Sequence, residues 1–390
     1  MSRYIDQFVR NEEERLRVEN VERLAAKFAE RAARHDEEGS FPFDNFADLR
    51  EAGYLKLTVP AEYGGDGIDL HGLVLLQERL AYGDGSTALA VGWHVGQVFH
   101  YRESGKWQQK LFAELCRSVV RDGTMINTFA SEASTGSPSR GGRPETIAVR
   151  SDGGWRLTGR KTFSTLSPIL DRFVVSAYIP EEAVVSEFLV MKSENVTLVE
   201  TWNSLGMRAT GSHDVVLDGA FVPSEHRIAG GGIDDGSGWL LHIPACYMGI
   251  ALAARDYALE FARTYQPNYT DKPIASFPAV QASIGEMELA LRSARTVLFA
   301  AADRWDKERD NRPALKPELG LAKHVTTNNA IRVVDLAMRI VGGTSLSRSL
   351  PLERYFRDVR AGLHNPPMDG TVIQNLAASA LSDGVSTFSP

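Results

Sequence analysis

Apolar residues in the first part of the chain recur at spacings of three and four, so that Val21, Leu24, Ala25 and Phe28 share one helix face. The same period predicts helices over Asn45–Ala52, His71–Tyr82 and Thr87–Glu103, with the turn-rich string Val59–Gly67 (VPAEYGGDG) between them. Around residue 120 the period changes. Thr146–Arg150, Trp155–Leu157, Arg172–Ile179, Glu187–Met191 and Asp214–Leu217 are short β-rich runs broken by Gly, Asp, Ser or Pro, which predicts a compact antiparallel β-domain ending near Val222-Pro223. After the glycine-rich linker Ala229–Gly238 the helical period returns, in Ala- and Leu-rich segments over Leu240–Tyr265, Ala279–Lys307 and Pro317–Val341. Helices of ~25 residues span about 40 Å, which suits an antiparallel bundle.

This order predicts an α+β multi-domain chain, with an N-terminal helical domain over 1–118, a middle β-domain over 119–228 and a C-terminal helical bundle over 238–390. It excludes an alternating βαβ layout. The nearest dinucleotide fingerprint, Gly65-Asp66-Gly67-Ile68-Asp69-Leu70, lacks the third glycine and follows no clear strand.

Composition narrows the classes further. With 390 residues, 43% hydrophobic and 24% charged, the chain can bury more than one core. A net charge of -7 without a long Lys/Arg run argues against nucleic-acid or anionic-membrane binding. Cys116 and Cys246 stand far apart without metal-ligand spacing, so both are expected as buried free thiols and no metal site is expected. No apolar run reaches the ~18 to 20 residues that span a bilayer. The charged start MSRYIDQFVRNEEERLR lacks the apolar region of a signal peptide, so a cytoplasmic location is expected.

Three strings carry candidate chemistry. Ile126–Ser139 (INTFASEASTGSPS) runs from a strand-like start into small hydroxyl residues, which is either a polar turn or a set of donors for a flat polar ligand. Leu157–Pro168 (LTGRKTFSTLSP) places an aromatic and two hydroxyls after a Gly-Arg-Lys turn, and alone reads equally as a β-turn. With Ser204–Pro223 they resemble, in order and spacing, the middle domain of acyl-CoA dehydrogenases, in which a TEPGAGS-like loop and a W-I-T-like strand enclose a flavin. The resemblance continues through Met338–Ser345 (MRIVGGTS) and Glu353–Ala378 (ERYFRDVRAGLHNPPMDGTVIQNLAA), and so covers residues 20 to 383.

The resemblance implies an acyl-CoA dehydrogenase fold, whose middle domain is β-barrel-like and whose C-terminal part is a four-helix bundle, with FAD as cofactor. It places Phe129, Ala130 and Ser131 along the flavin ring, Gly136 and Ser137 near cofactor and substrate, and Phe163, Ser164 and Thr165 against the isoalloxazine. Arg339, Gly342 and Gly343 would meet the diphosphate end of a neighbouring subunit's FAD, Arg339 standing where the family has glutamine, and Thr371 and Ile373 would complete the cofactor contacts. A plain helix C-cap is the other reading of Gly342-Gly343. A dimer or tetramer is implied. Arg140 and Arg143 are candidates for CoA phosphates or are solvated surface charges.

The implied reaction removes the α-proton of an acyl-CoA with a carboxylate while the β-hydrogen leaves as hydride, the electrons passing to an electron-transfer flavoprotein. At the base position stands Asp369, before Gly370-Thr371, where the family has glutamate; Gly370, Ser137 and His94 are the expected substrate contacts. An Asp before Gly is also an ordinary turn former. The connection from Arg357-Asp358 to Asp369 is longer than the common pattern, and Arg263–Tyr269 and Gly238-Trp239 depart from the family too.

Leu363-His364-Asn365-Pro366 resembles the L-H-D-P segment of flavin-dependent monooxygenases of this fold, in which a histidine steadies a flavin–oxygen adduct; His94 falls where that group often places a second histidine. That alternative implies a flavin reductase as partner and admits FMN. Nitroalkane oxidase, a third relative on this fold, uses an aspartate base. A flavin-binding scaffold without a base is the non-enzymatic alternative. No G-x-S-x-G elbow occurs, and His213-Asp214 reads as the start of a strand.

Overall fold

The computed structural model describes residues 5–135, 142–228 and 236–383. Helices precede and follow a β-rich middle. The chain divides into a helical unit, made of the residues up to Ala33, Leu70–Gly85 and those from Gly236 onward, and a β unit made of Arg34–Asp69 and Ser86–Asp235. The N-terminal helices are therefore shared out. Helix α1 (Glu12–Glu38) up to Ala33 and α3 (Leu70–Gly83) group with the C-terminal helices, whereas α2 (Phe43–Glu51), α4 (Gly85–Ser104) and α5 (Gln109–Asp122) group with the strands.

In the helical unit, α6 (His242–Thr264), α7 (Pro278–Lys307) and α8 (Lys316–Val341) pack together and α3 lies against α6 and α7. One member of this helix core thus comes from the N-terminal part of the sequence. The reason lies in α3 itself. It is buried on nearly every side, with only Tyr82 half-buried, so no single partner could cover it. Its first two N–H groups, from Leu70 and His71, donate to the Asp306 carboxylate at 3.0 and 2.9 Å, a remote cap for orphan donors. Its two charged residues are both answered. Glu78 accepts two hydrogen bonds from Arg295, at 2.9 and 2.8 Å, with both side chains fully buried. Arg79 reaches Asp6 and Glu22. Pro278 and Pro317, at the starts of α7 and α8, sit where a missing N–H does no harm. Short α9 (Leu352–Val359) and α10 (Asp369–Asp383) follow, α10 resting on α8.

The β unit holds β1 (Thr128–Phe129), β2 (Ile147–Ser151), β3 (Gly154–Ser164), β4 (Arg172–Ile179), β5 (Val184–Met191), β6 (Val196–Val199), β7 (His213–Pro223) and β8 (Arg227–Ile228). Their order is β6-β7-β3-β2-β4-β5-β8, with β1 added on β4. Most neighbours are antiparallel, as expected, but β4 runs parallel to both β1 and β2. The β2–β3 hairpin, closed by Asp152-Gly153 with Gly153 at φ 72°, reverses the chain once. The chain reverses again before β4, which therefore lies alongside β2 in the same direction. The eleven residues of β3 cross the middle of the sheet and extend well past the Trp155–Leu157 run read from the sequence. Among the described residues, no helix is long and apolar enough to cross a membrane.

Replacing Arg295 with Leu should strand the Glu78 charge in a dry core and lower unfolding free energy by about 3–5 kcal/mol. Denaturant titration should show the double variant Glu78→Gln/Arg295→Met recovering most of that loss.

Candidate functional site

Of the expected flavin residues of the β unit, Phe163, Ser164 and Thr165 lie at the end of β3 or directly after it. Pairing with β7 advances three residues on β3, from Lys161 to Ser164, against two on β7, from Val215 to His213, so one residue is extruded as a bulge. Phe163 occupies it at φ 53°, a left-handed backbone that a bulky residue adopts only under constraint. Its side chain is 68% exposed and meets the ring of Trp202 edge-on at 5.8 Å. A large aromatic is held in an unfavourable backbone conformation and presented to solvent. On either side, the buried hydroxyls of Thr162 and Ser164 have no hydrogen-bond partner among the described residues. These are the features of a platform for a flat, polar-edged ligand, and a flavin fits them.

The remaining candidates of this unit fare differently. Phe129 was expected along the flavin ring, but it is buried and stacks on Phe173 at 5.0 Å, so its side chain belongs to the core. Ala130 and Ser131 are half-buried, and the Ser131 carbonyl accepts from the Thr162 N–H at 2.9 Å, which brings the loop after β1 against the bulge. Gly136, Ser137 and Arg140 lie outside the described residues. The Thr165 hydroxyl joins a chain with those of Ser212 and Thr210, each link 2.8 Å. Arg143 is exposed, with its guanidinium over Tyr178 at 4.4 Å.

His94, expected as a substrate contact, has another task. It is fully buried; its Nε2–H donates to the Leu55 carbonyl at 3.0 Å and its Nδ1 accepts from the Ile126 N–H at 3.1 Å. Both nitrogens are engaged, which sets the tautomer and leaves no polar edge for a ligand. Burial pushes its pKa down to about 4.

In the helical unit Asp369 opens α10 rather than forming a turn, a position that favours an anion. Its Oδ2 accepts from the Asn328 amide at 3.0 Å, and its Oδ1 lies 3.2 Å from His324 Nδ1 and 3.6 Å from Lys323 Nζ, all three partners coming from α8. Burial pushes the carboxyl's pKa up, but the Asn328 amide, Lys323 and His324 together outweigh it and hold the group below its ordinary value. Lys323 is itself buried to 1% exposure, and burial lowers its pKa against the pull of Asp369. At 3.6 Å the two charges attract without a hydrogen bond, and the Lys323 ammonium has no hydrogen-bond partner among the described residues.

His364 is exposed, and among the described residues its ring makes no hydrogen bond. Next to it, the Asn365 side-chain oxygen accepts from buried Tyr247 at 2.5 Å, which steadies the segment leading to α10. Gly370, Thr371 and Ile373 lie in the first turn and a half of α10, with Gly370 and Ile373 exposed. Arg339, Gly342 and Gly343 border a cleft of about 460 Å³ at the end of α8, together with Phe356 and Arg360. Arg360 is committed to Asp335 at 3.1 Å, whereas Arg339 has no ion pair among the described residues. Gly342 ends the helix at φ 77°, but a Cβ on Gly343 would meet nothing within 4 Å. The packing of the described residues does not require glycine there.

Lys323, His324 and Asn328, and the pair Glu132 and Lys161, were missed in the sequence. A signal existed: Lys161 takes the inward parity of β3 with Trp155 and Leu157, and Lys323 sits on the α8 stripe of Leu319, Thr326 and Ala330. A charge on an apolar face calls for a buried partner.

A β unit between helices, with an exposed aromatic beside buried hydroxyls, fits a flavin-binding scaffold. Models of the acyl-CoA dehydrogenase N-terminal, middle and C-terminal domains match residues 11–112, 127–220 and 241–365, and the chain belongs to the acyl-CoA dehydrogenase family of flavin-dependent oxidoreductases. It is 49% identical to a putative acyl-CoA dehydrogenase of Bacillus subtilis (strain 168), over 96% of this chain and 98% of that protein. It is 31% identical to an amino sugar nitrososynthase of Streptomyces rubradiris, over 93% and 88%. Among solved structures it resembles KijD3 in complex with FMN and a dTDP-linked amino sugar, with a TM-score of 0.82 and 26% identity over 95% of this chain and 94% of that one.

Because the folded His94 binds a proton only near pH 4 while an unfolded histidine does so near ~6.5, the unfolded state holds more protons between these values. Stability should be fully present above ~6.5 and fall by about 2–3 kcal/mol as the pH drops to 4. The variant His94→Gln should flatten that slope in urea titrations run across the range.

Proposed function

We propose that this chain is a flavin-dependent oxygenase that uses flavin reduced by a separate reductase, rather than a dehydrogenase that removes an α-proton with Asp369. The observation that carries this reading is the state of Asp369. A base for an acyl thioester needs a carboxylate free to reach the substrate, with a pKa raised toward the working pH. Asp369 instead accepts from Asn328, faces Lys323 and His324 and is held below its ordinary value. These contacts make it the anchor of α10 on α8. Its proton affinity is lowered where the reaction would need it raised.

His364 is the group assigned to proton handling. Its ring is exposed and makes no hydrogen bond among the described residues, which leaves its nitrogens open to a ligand. Phe163 and the loop at Ser131 would hold the isoalloxazine, whereas Arg339 with Gly343 would meet the phosphate end of a neighbouring subunit's flavin. When bound, reduced flavin supplies two electrons to dioxygen, one oxygen atom passing to the substrate and the other leaving as water. The structure of KijD3 with FMN and the 31% identity to a nitrososynthase support the reading, FMN being admitted beside FAD.

A second reading, acyl-CoA dehydrogenation with an electron-transfer flavoprotein as acceptor, is favoured by the carboxylate's place directly before Gly370-Thr371 and by the 49% identical relative. The two part cleanly in experiment. The oxygenase reading expects weak retention of flavin on purification, reductase-dependent oxygen incorporation, and no anaerobic bleaching by a panel of acyl-CoA thioesters. Bleaching by any of them, abolished by Asp369→Asn, would establish the dehydrogenase instead.

A further inference from the structure

We infer that Glu132 and Lys161 are positioning residues for the flavin, their buried ion pair setting the spacing between the loop after β1 and the bulge that presents Phe163. The inference rests on the assignment of that platform to flavin made above.

Glu132 directly follows Ser131, and Lys161 lies two residues before Phe163. Their side chains are 3% and 0% exposed and meet at 2.6 Å. Neither charge is left with a single partner. Glu132 Oε1 also accepts from the Thr146 N–H at 3.1 Å and the Thr146 hydroxyl at 2.6 Å, and its Oε2 accepts from the Glu145 N–H at 2.5 Å. The Lys161 ammonium also donates to the Ser176 carbonyl at 2.7 Å. One carboxylate and one ammonium therefore tie together four pieces of chain: the loop after β1, the residues entering β2, the middle of β3, and β4.

The surrounding backbone is shaped to this arrangement. Gly159 approaches Thr146 so closely that a Cβ would lie 2.4 Å from the Thr146 hydroxyl that serves Glu132. Beyond Lys161, the Thr162 N–H donates to the Ser131 carbonyl, so both proposed flavin-contacting segments leave the ion pair already hydrogen-bonded to each other. Burial pushes the Glu132 carboxyl up, but Lys161, Thr146 and Glu145 outweigh it and keep the group ionised. The pair is thus a charged clasp placed one residue from one wall of the platform and two from the other. An apolar pair could fill the same space, but could not fix direction with hydrogen bonds to four segments.

The test titrates FMN and FAD separately into the purified chain, following quenching of flavin fluorescence for Kd and visible circular dichroism for the environment of the bound ring. Thermal unfolding is measured beside it. Glu132→Gln alone strands a buried ammonium and should lower both Tm and affinity. The double variant Glu132→Gln/Lys161→Met removes both charges, and should bring Tm back to within a few degrees of the parent while flavin Kd stays raised by ~10-fold or more. An affinity that recovers together with Tm would reduce the pair to a structural role and overturn the inference. Glu132→Asp serves should the double variant not fold. It keeps both charges but draws the carboxylate back by about 1.5 Å, and parental affinity and dichroism in this variant would equally overturn the inference. Phe163→Ala keeps the failures apart: unchanged flavin binding there removes the platform assignment itself, whereas weakened binding there with parental binding in the clasp variants removes only the role of Glu132 and Lys161.

Discussion

The β unit is organised around a charge that cannot be left alone. An ammonium in the middle of a sheet, on the same side of β3 as Trp155 and Leu157, is tolerable only if an anion and further acceptors surround it. Lys161 obtains Glu132 and the Ser176 carbonyl, and Glu132 in turn uses up the donors of Glu145 and Thr146. Much else follows from this requirement. The loop after β1 must fold back over the sheet, Gly159 must be bare, and β3 leaves Lys161 in fixed register before its bulge. The helical unit solves the same problem with Glu78 and Arg295, where a fully buried carboxylate receives two guanidinium bonds.

The bulge is where stability and function part. A phenylalanine at φ 53° stores backbone strain, and its exposed ring gains little from packing beyond the edge of Trp202. Folding alone gives no reason to keep such a residue there. A flat ligand lying on it does, which is why strain of this kind marks binding positions more often than core positions.

The proposed choice between chemistries that share a scaffold rests on two residues of the helical unit. The carboxylate before Gly370-Thr371, expected from the sequence as the base, turns its oxygens to α8. The exposed ring of His364, five residues earlier, makes the opposite pattern: a side chain without a hydrogen bond among the described residues. The pairing of a committed acid with an uncommitted histidine is what turns the reading toward oxygen.

Periodicity alone determined the helix, strand, helix order and most of its elements. The helix read over Ala279–Lys307 is α7 within one residue, and the run Arg172–Ile179 is β4. Those elements are legible because burial of one face imposes a period on neighbouring residues, and ordered motifs carried the family. What only the tertiary structure decided are relations between residues far apart in the chain. The sequence does not say that α3 joins the C-terminal helices, that Phe129 turns inward onto Phe173, or that His94 spends both nitrogens on Leu55 and Ile126. It does not say that Asp369 is held by residues some forty positions earlier either. Local spacing records which face of an element is buried. Which partner meets a buried charge or ring is settled by packing, whose contacts leave no period in the sequence.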